Sequence, residues 1–203
     1  MDYDFQVFDK SIVYSGFFKM EKYRLRHRLF SGEWSAEIQR ECMERGHAVA
    51  VLPYDAIRDR VVLLEQFRIG ALEHPGGPWL LEIVAGISRP QETKAEVARR
   101  EAKEEANCEL LDLIPILETL VSPGGTSESV ALYCGRIDSA NLGGIHGLDE
   151  EHEDIRVHVL PRGEAVAFLR SGRIKSAPAI IALQWLELNR QALLNRWRDK
   201  AAK

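Results

Sequence analysis

The chain has 203 residues, 45% hydrophobic and 29% charged, which suits a globular soluble protein with one sizeable core. Its net charge of −4 and pI near 5.9 argue against a polyanion-binding or membrane-surface role, and so against nucleic acid as a partner. Nowhere do about 18 apolar residues run together, and the acidic start Met1-Asp2-Tyr3-Asp4 leads into no signal-like apolar stretch, so a cytoplasmic protein without a membrane partner is expected.

Residues 1–45 read as an N-terminal β region distinct from a catalytic domain over 46–203. Strand-like pieces fall at 5–7, 12–14 and 23–30, the last alternating Tyr23, Leu25, His27 and Leu29 against Arg24, Arg26 and Arg28. That arginine face reads as solvated or paired, with phosphate contact the alternative. Apolar runs at 47–52 and 61–66, separated by Pro53-Tyr54-Asp55-Ala56-Ile57-Arg58-Asp59, predict a hairpin that opens the main sheet. A buried strand over 79–84 follows, and Ala85-Gly86 ends it.

Residues 92–106 predict a helix, being rich in Ala, Glu, Lys and Arg, with Ala95, Ala98, Ala102 and Ala106 on one stripe. Beyond it come strands at 113–121 and 129–137, joined by Ser122-Pro123-Gly124-Gly125-Thr126-Ser127-Glu128, and a strand at 155–160. A long loop over 138–154 carries Asp149-Glu150-Glu151-His152-Glu153-Asp154, in composition a solvated surface or a lid. Helices are predicted at 164–170 and 178–197, the second with an apolar stripe of Ile181, Trp185, Leu188 and Ala192. Together these elements predict an α+β fold, a mixed-sheet sandwich. Cys42, Cys108 and Cys134, odd in number and far apart, read as reduced small residues without chemistry.

The chemistry concentrates in one segment. On the predicted helix Glu101 and Glu105 lie about 40° apart, with Glu104 about 60° to the other side of Glu101. All three repel one another toward the negative end of the helix dipole, a placement that a hard divalent cation such as Mg²⁺ would relieve. A solvated charged face is the alternative. The spacing Gly86, five residues, Glu92, seven residues, Arg100-Glu101, two residues, Glu104-Glu105 resembles the box of the Nudix hydrolases, enzymes that cleave a nucleoside diphosphate linked to another moiety. The family usually has Gly and an aliphatic residue at the end of the box, where this chain has Asn107 and Cys108; Asn tolerates the left-handed conformation that follows a helix. The resemblance implies a Nudix-type α/β/α sandwich.

Pro123, 16 residues beyond Asn107, and the whole Ser122–Glu128 loop resemble the group within that family that acts on ADP-ribose. The likeness to bacterial ADP-ribose pyrophosphatases runs from about residue 14 to 197, through Gly16-Phe17-Phe18, Arg40-Glu41, Glu65-Gln66-Phe67-Arg68 and Ile181-Ala182-Leu183-Gln184-Trp185. It implies Mg²⁺-dependent hydrolysis of ADP-ribose to AMP and ribose 5-phosphate by a homodimer, its N-terminal strands exchanged between subunits. Two or three Mg²⁺, or Mn²⁺, would be held by the carbonyl of Ala85, Glu101, Glu105 and Glu153, with Glu104 assisting. Substrate contacts are implied for Phe17 and Phe18 (adenine), Arg40 and Glu41 (adenosine), Arg68 (diphosphate), Ile87, Ser122, Pro123 and Gly124, and Glu128 (ribose). Gly86, Glu92 and Arg100 would hold the box together. Internal reasoning leaves Glu150, Glu151 and Glu153 open as the base; the resemblance implies Glu151. The rival readings are a sibling acting on another nucleoside diphosphate sugar such as GDP-mannose, and a non-catalytic nucleotide-sugar-binding module.

Overall fold

A computed structural model describes residues 3–201, with side chains to residue 198. The Met1-Asp2 start and the outer limits of the two expected regions, at 1 and 203, lie outside the described residues. The chain forms two compact units, one of Met1–His47 with Leu120–Ser129, the other of Ala48–Thr119 with Val130–Lys203.

The first unit is built on a three-stranded antiparallel sheet of β1 (Phe5–Ser15), β2 (Lys19–His27) and β3 (Ile38–Glu44). The pieces expected at 5–7 and 12–14 are one strand; register shifts at Val7/Asp9 and Ile12/Tyr14 break the alternation by which a strand is recognised. β2 stops at His27 rather than running to residue 30, because the chain turns at Leu29–Gly32 and Arg28 bridges Trp34. β3 was not foreseen, since Ile38-Gln39-Arg40-Glu41-Cys42-Met43-Glu44 carries no apolar alternation.

The second unit is an α/β/α sandwich on a mixed sheet, and side-chain parity explains its layers. In β4 (Ala48–Asp55) and β5 (Arg60–Phe67), Ala50, Leu52, Tyr54, Val61 and Leu63 join one apolar cluster, while Val49, Val51, Val62 and Leu64 join another. The first cluster is closed by α2 (Arg162–Arg170) and α3 (Ala177–Ala201), the second by α1 (Lys94–Ala106). Strand order is β10 (Gly144–His146), β11 (Ile155–Pro161), β5, β4, β9 (Ser129–Arg136), β8 (Asp112–Leu120), with β4 and β9 parallel. The segment expected as one strand over 79–84 divides into β6 (Trp79–Glu82) on β5 and β7 (Val84–Ile87) on β4. The predicted hairpin therefore pairs only at Tyr54–Val61 and Asp55–Arg60 before its arms take separate partners.

Both predicted helix stripes hold in part: Ala98, Ala102 and Ala106 on α1 are buried and Ile181 and Trp185 on α3 pack against the core, but the other members do not. Ala95 is exposed and Val97 is buried in its place, beside Ala98, Ala102 and Ala106. On α3, Leu188 is 86% exposed and Ala192 is exposed, while Ala179, Ala182, Leu183, Leu186, Leu193 and Trp197 face the core. Trp197 donates its indole N–H to Asp112, which fixes which side of the helix turns inward. Among the described residues, no helix is long and apolar enough to cross a membrane. Cys42, Cys108 and Cys134 are free thiols, and burial pushes Cys108 up to about 12 and raises Cys134 further, which leaves both inert.

Candidate active site

The site is organised by the entry into α1. Thr93 caps the helix, accepting from the Glu96 N–H while the Glu96 carboxylate accepts from the Thr93 N–H, so the first turn starts at a fixed point. At the other end Asn107 takes φ 47°, ψ 36°, the left-handed cap conformation that the sequence required there. Between these caps Arg100 joins the box. Its Nε and Nη2 donate to the two Glu92 oxygens at 2.8 and 3.1 Å, and its Nη1 donates to Glu101 at 2.6 Å and to Glu104 at 3.0 Å. Glu92 also accepts from the Arg89 N–H, tying the loop before α1 to the helix.

Gly86 is required by the approach of Glu101. A Cβ at position 86 would lie 1.7 Å from Glu101 Oε1, so the carboxylate fills the space that any side chain would take. Glu105 is 3% exposed and accepts from the Ala85 N–H at 2.9 Å through one oxygen. Burial pushes its carboxyl up to about 8, with Glu101 and Glu153 adding to the rise and Arg68 opposing it. Burial likewise raises Glu101, against the pull of Arg100 and with Glu104 and Glu153 adding. These couplings place Glu101, Glu104, Glu105, Glu153 and Arg68 in one electrostatic neighbourhood.

The cluster differs in one respect from what the repulsion argument required. Arg100 pairs with Glu101 and Glu104 as well as with Glu92, so a cation is not the only relief available to them, although one positive charge is shared among three carboxylates; Glu105 takes no part in that pairing. Among the described residues, no three His, Cys, Asp or Glu side chains are preassembled around a point that could hold an ion. The donor set nevertheless suits a hard cation: carboxylates gathered on one side of α1, one of them buried and raised toward protonation, beside a glycine that leaves room for their approach.

Glu153 reaches this neighbourhood through a tight loop. Leu148 donates its N–H to the Glu153 carboxylate at 3.3 Å, and Gly147, at φ 110°, sits where a Cβ would lie 2.8 Å from the Glu153 carbonyl oxygen. Glu151 ends a 3-10 turn over Asp149–Glu151 and is exposed, as is Glu150. Arg68, 44% exposed at its side chain, donates through Nε to Glu82 at 2.7 Å. Ile87 is 40% exposed at the end of β7, with its carbonyl facing Arg100 at 3.5 Å.

The remaining expected contacts belong to the first unit. Phe17 is 90% exposed and meets Phe18 edge-on at 4.9 Å. The Ser122–Glu128 loop packs on β3: Met43 donates to the Gly125 carbonyl at 2.8 Å, Thr126 Oγ1 donates to Met43 at 2.9 Å, and Ser127 Oγ donates to Glu44 at 2.6 Å. Glu128 is 7% exposed and pairs with Arg45 at 3.4 Å, while Arg45 also stacks over Phe18 at 4.9 Å. Arg40 and Glu41 are exposed on β3. Two groups escaped the sequence reading. Arg45 has no signal in a charged segment, whereas Glu82 stands as a lone carboxylate in the apolar run Trp79-Leu80-Leu81-Glu82-Ile83-Val84, which marks it.

Comparison with known proteins adds a family. The NUDIX domain profile matches residues 44–184. The ADP-ribose pyrophosphatase of Escherichia coli K12 is 49% identical over 194 residues, 96% of this chain and 93% of that protein. That of Haemophilus influenzae is 42% identical over 198 residues, 96% of this chain and 91% of its own. A GDP-mannose pyrophosphatase of Cronobacter sakazakii is 34% identical over 152 residues, 74% of this chain and 78% of that protein. A crystal structure of an ADP compounds hydrolase superposes with a TM-score of 0.69 at 19% identity, covering 93% of this chain and 95% of that one, a likeness of fold.

Proposed function

This chain belongs to the NUDIX domain family, and on that premise we propose that it hydrolyses the diphosphate bond of ADP-ribose, releasing AMP and ribose 5-phosphate. The coarser statement, a Nudix hydrolase acting on a nucleoside diphosphate sugar, rests on the matched domain and the kinship of both pyrophosphatase groups. The finer one is favoured because kinship with the ADP-ribose enzymes spans 96% of the chain, whereas the GDP-mannose match spans 74%. One structural observation carries the chemistry: a buried, under-bonded Glu105 carboxylate beside Glu101, with Arg68 in the same field.

Glu101, Glu105, Glu153 and the Ala85 carbonyl are the groups that would hold Mg²⁺, with Glu104 assisting. The ions, when bound, would neutralise the diphosphate and lower the pKa of the attacking water. Arg68 presents a guanidinium to the diphosphate, a fork that suits phosphate oxygens. Arg100 and Glu92 fix the carboxylates so that they need not reorganise. Glu151, exposed at the end of its turn, is free to reach a water and take its proton. Phe17 offers an open ring for adenine, and Glu128, held by Arg45, a carboxylate for a ribose hydroxyl.

The same reading includes a homodimer. β1 is exposed along its whole length and presents Phe5, Val7, Phe8, Ile12, Val13 and Tyr14 from a sheet edge, a surface that a second copy would cover. Incubation with ADP-ribose, GDP-mannose and NADH, with and without Mg²⁺ and resolved by chromatography, tests the substrate. AMP and ribose 5-phosphate should form fastest from ADP-ribose and only with the ion; preferential release of GMP from GDP-mannose would replace this reading with its sibling.

A further inference from the structure

Glu82 lies between buried Leu81 and Ile83, and its side chain is 16% exposed. The β5–β6 register sets Leu64 opposite Glu82 and Gln66 opposite Leu80, so Gln66 and Glu82 share the face of the sheet that packs under α1. Gln66, 6% exposed, donates its amide to Glu82 Oε2 at 3.3 Å. Arg68 follows at the end of β5, where its own N–H is taken by the Pro78 carbonyl at 2.8 Å, and its Nε donates to the same Glu82 oxygen at 2.7 Å. Among the described residues, neither Nη nitrogen of Arg68 makes a hydrogen bond.

We propose that Glu82 is a positioning residue for Arg68, gripping the guanidinium by its Nε edge and leaving the Nη edge open for the substrate diphosphate. The inference rests on the reading of Arg68 as the diphosphate contact. An unrestrained arginine loses considerable rotamer entropy on binding; one already anchored by a carboxylate loses less, and the anchor is itself fixed by the Gln66 amide. With the Arg68 side chain 44% exposed, the pair is partly screened by solvent and contributes modestly to folding, so its main effect belongs in affinity.

Steady-state kinetics of wild type, Glu82→Gln, Arg68→Ala and the double variant on ADP-ribose test the proposal, with melting temperatures alongside. In Glu82→Gln, KM should rise about tenfold, with kcat within about twofold and the Mg²⁺ half-saturation unchanged. In the Arg68→Ala background the same change should add nothing to KM. An unchanged KM, an additive double variant, or a shift in Mg²⁺ half-saturation, which would make Glu82 an ion ligand, overturns it. Should Glu82→Gln fail to fold, Glu82→Asp keeps the charge but withdraws it by one methylene. A KM raised about threefold then supports the proposal, and an unchanged one overturns it. Absence of wild-type turnover defeats the functional reading alone. ADP affinity by calorimetry, expected to fall about tenfold in Glu82→Gln, then decides the role of Glu82, and an unchanged affinity overturns it.

Discussion

Two carboxylates are buried in the same unit and held in opposite states. Asp55, fully buried, receives five hydrogen bonds, from the N–H groups of Ile57, Arg58 and Ser139, the Ser139 hydroxyl and the Arg58 guanidinium. Burial acts to raise its carboxyl, yet those donors outweigh burial and hold it well below the usual carboxylate range. Glu105, 3% exposed, receives one hydrogen bond among the described residues, and burial pushes it up to about 8. Desolvation acts on both; the supply of donors decides the sign. Asp55 is a finished structural knot that closes the turn between β4 and β5 onto Ser139, whereas Glu105 retains an unmet demand for positive charge.

Glu105→Gln should separate the two roles most sharply. Turnover should fall about a hundredfold or more, while ion-free stability at neutral pH should not fall, because a carboxyl that folding must keep protonated is replaced by its neutral isostere. Kinetics and denaturant melts check this, and a large loss of stability would remove the contrast with Asp55. Asp55→Asn should do the opposite: about 2–3 kcal/mol of stability lost, since donors are left unmet, with kcat near wild type at a temperature where the variant is folded. Gly86→Ala comes next. The added methyl meets only side-chain atoms of Glu101 and would push its carboxylate off Arg100, so activity should drop about tenfold with little change in melting temperature, and a collapse of the fold instead would place the strain in the backbone.

The pH dependence of ion-free stability completes the comparison. Asp55, lowered on folding, contributes stability that is present above its unfolded pKa of 3.8 and lost as pH falls through the folded value. Glu105, raised on folding, contributes stability that is present below 4.5 and lost as pH rises through about 8. Melts of wild type against Glu105→Gln should therefore diverge as pH rises from about 4.5 to about 8, with the variant becoming the more stable; parallel curves across that window would remove the raised pKa.

Glu101, Glu104 and Glu105 were legible as one cluster because they lie along one helix, where 3.6 residues per turn convert sequence distance into a face. Gly86, in β7, and Glu92, in the loop before α1, joined them only through the resemblance of the spacing. The Arg100 bridge to Glu101 and Glu104 was not legible, since helix periodicity assigns residues to faces without saying which way a long guanidinium side chain turns. Strand-to-strand relations were harder still. Glu82 and Gln66 meet only through a register that no local pattern encodes, and the division of 79–84 into β6 and β7 depends on two different partners. β1 was read in pieces because its register shifts interrupt the alternation. Ala95, Leu188 and Ala192 missed the buried faces of α1 and α3 for a related reason: the exact inward side of a helix is chosen by the partner surface as well as by its own stripe.

The most direct test is calorimetric titration of Mg²⁺ into wild type and Glu105→Gln at pH 7 in buffers of different ionisation enthalpy, which reports protons released on binding. The wild type should bind the ion with release of part of a proton from Glu105, and the variant should bind weakly with no such release. Equal binding by both proteins, or binding without proton release in the wild type, would contradict the assignment of Glu105 as the carboxylate left waiting for a cation.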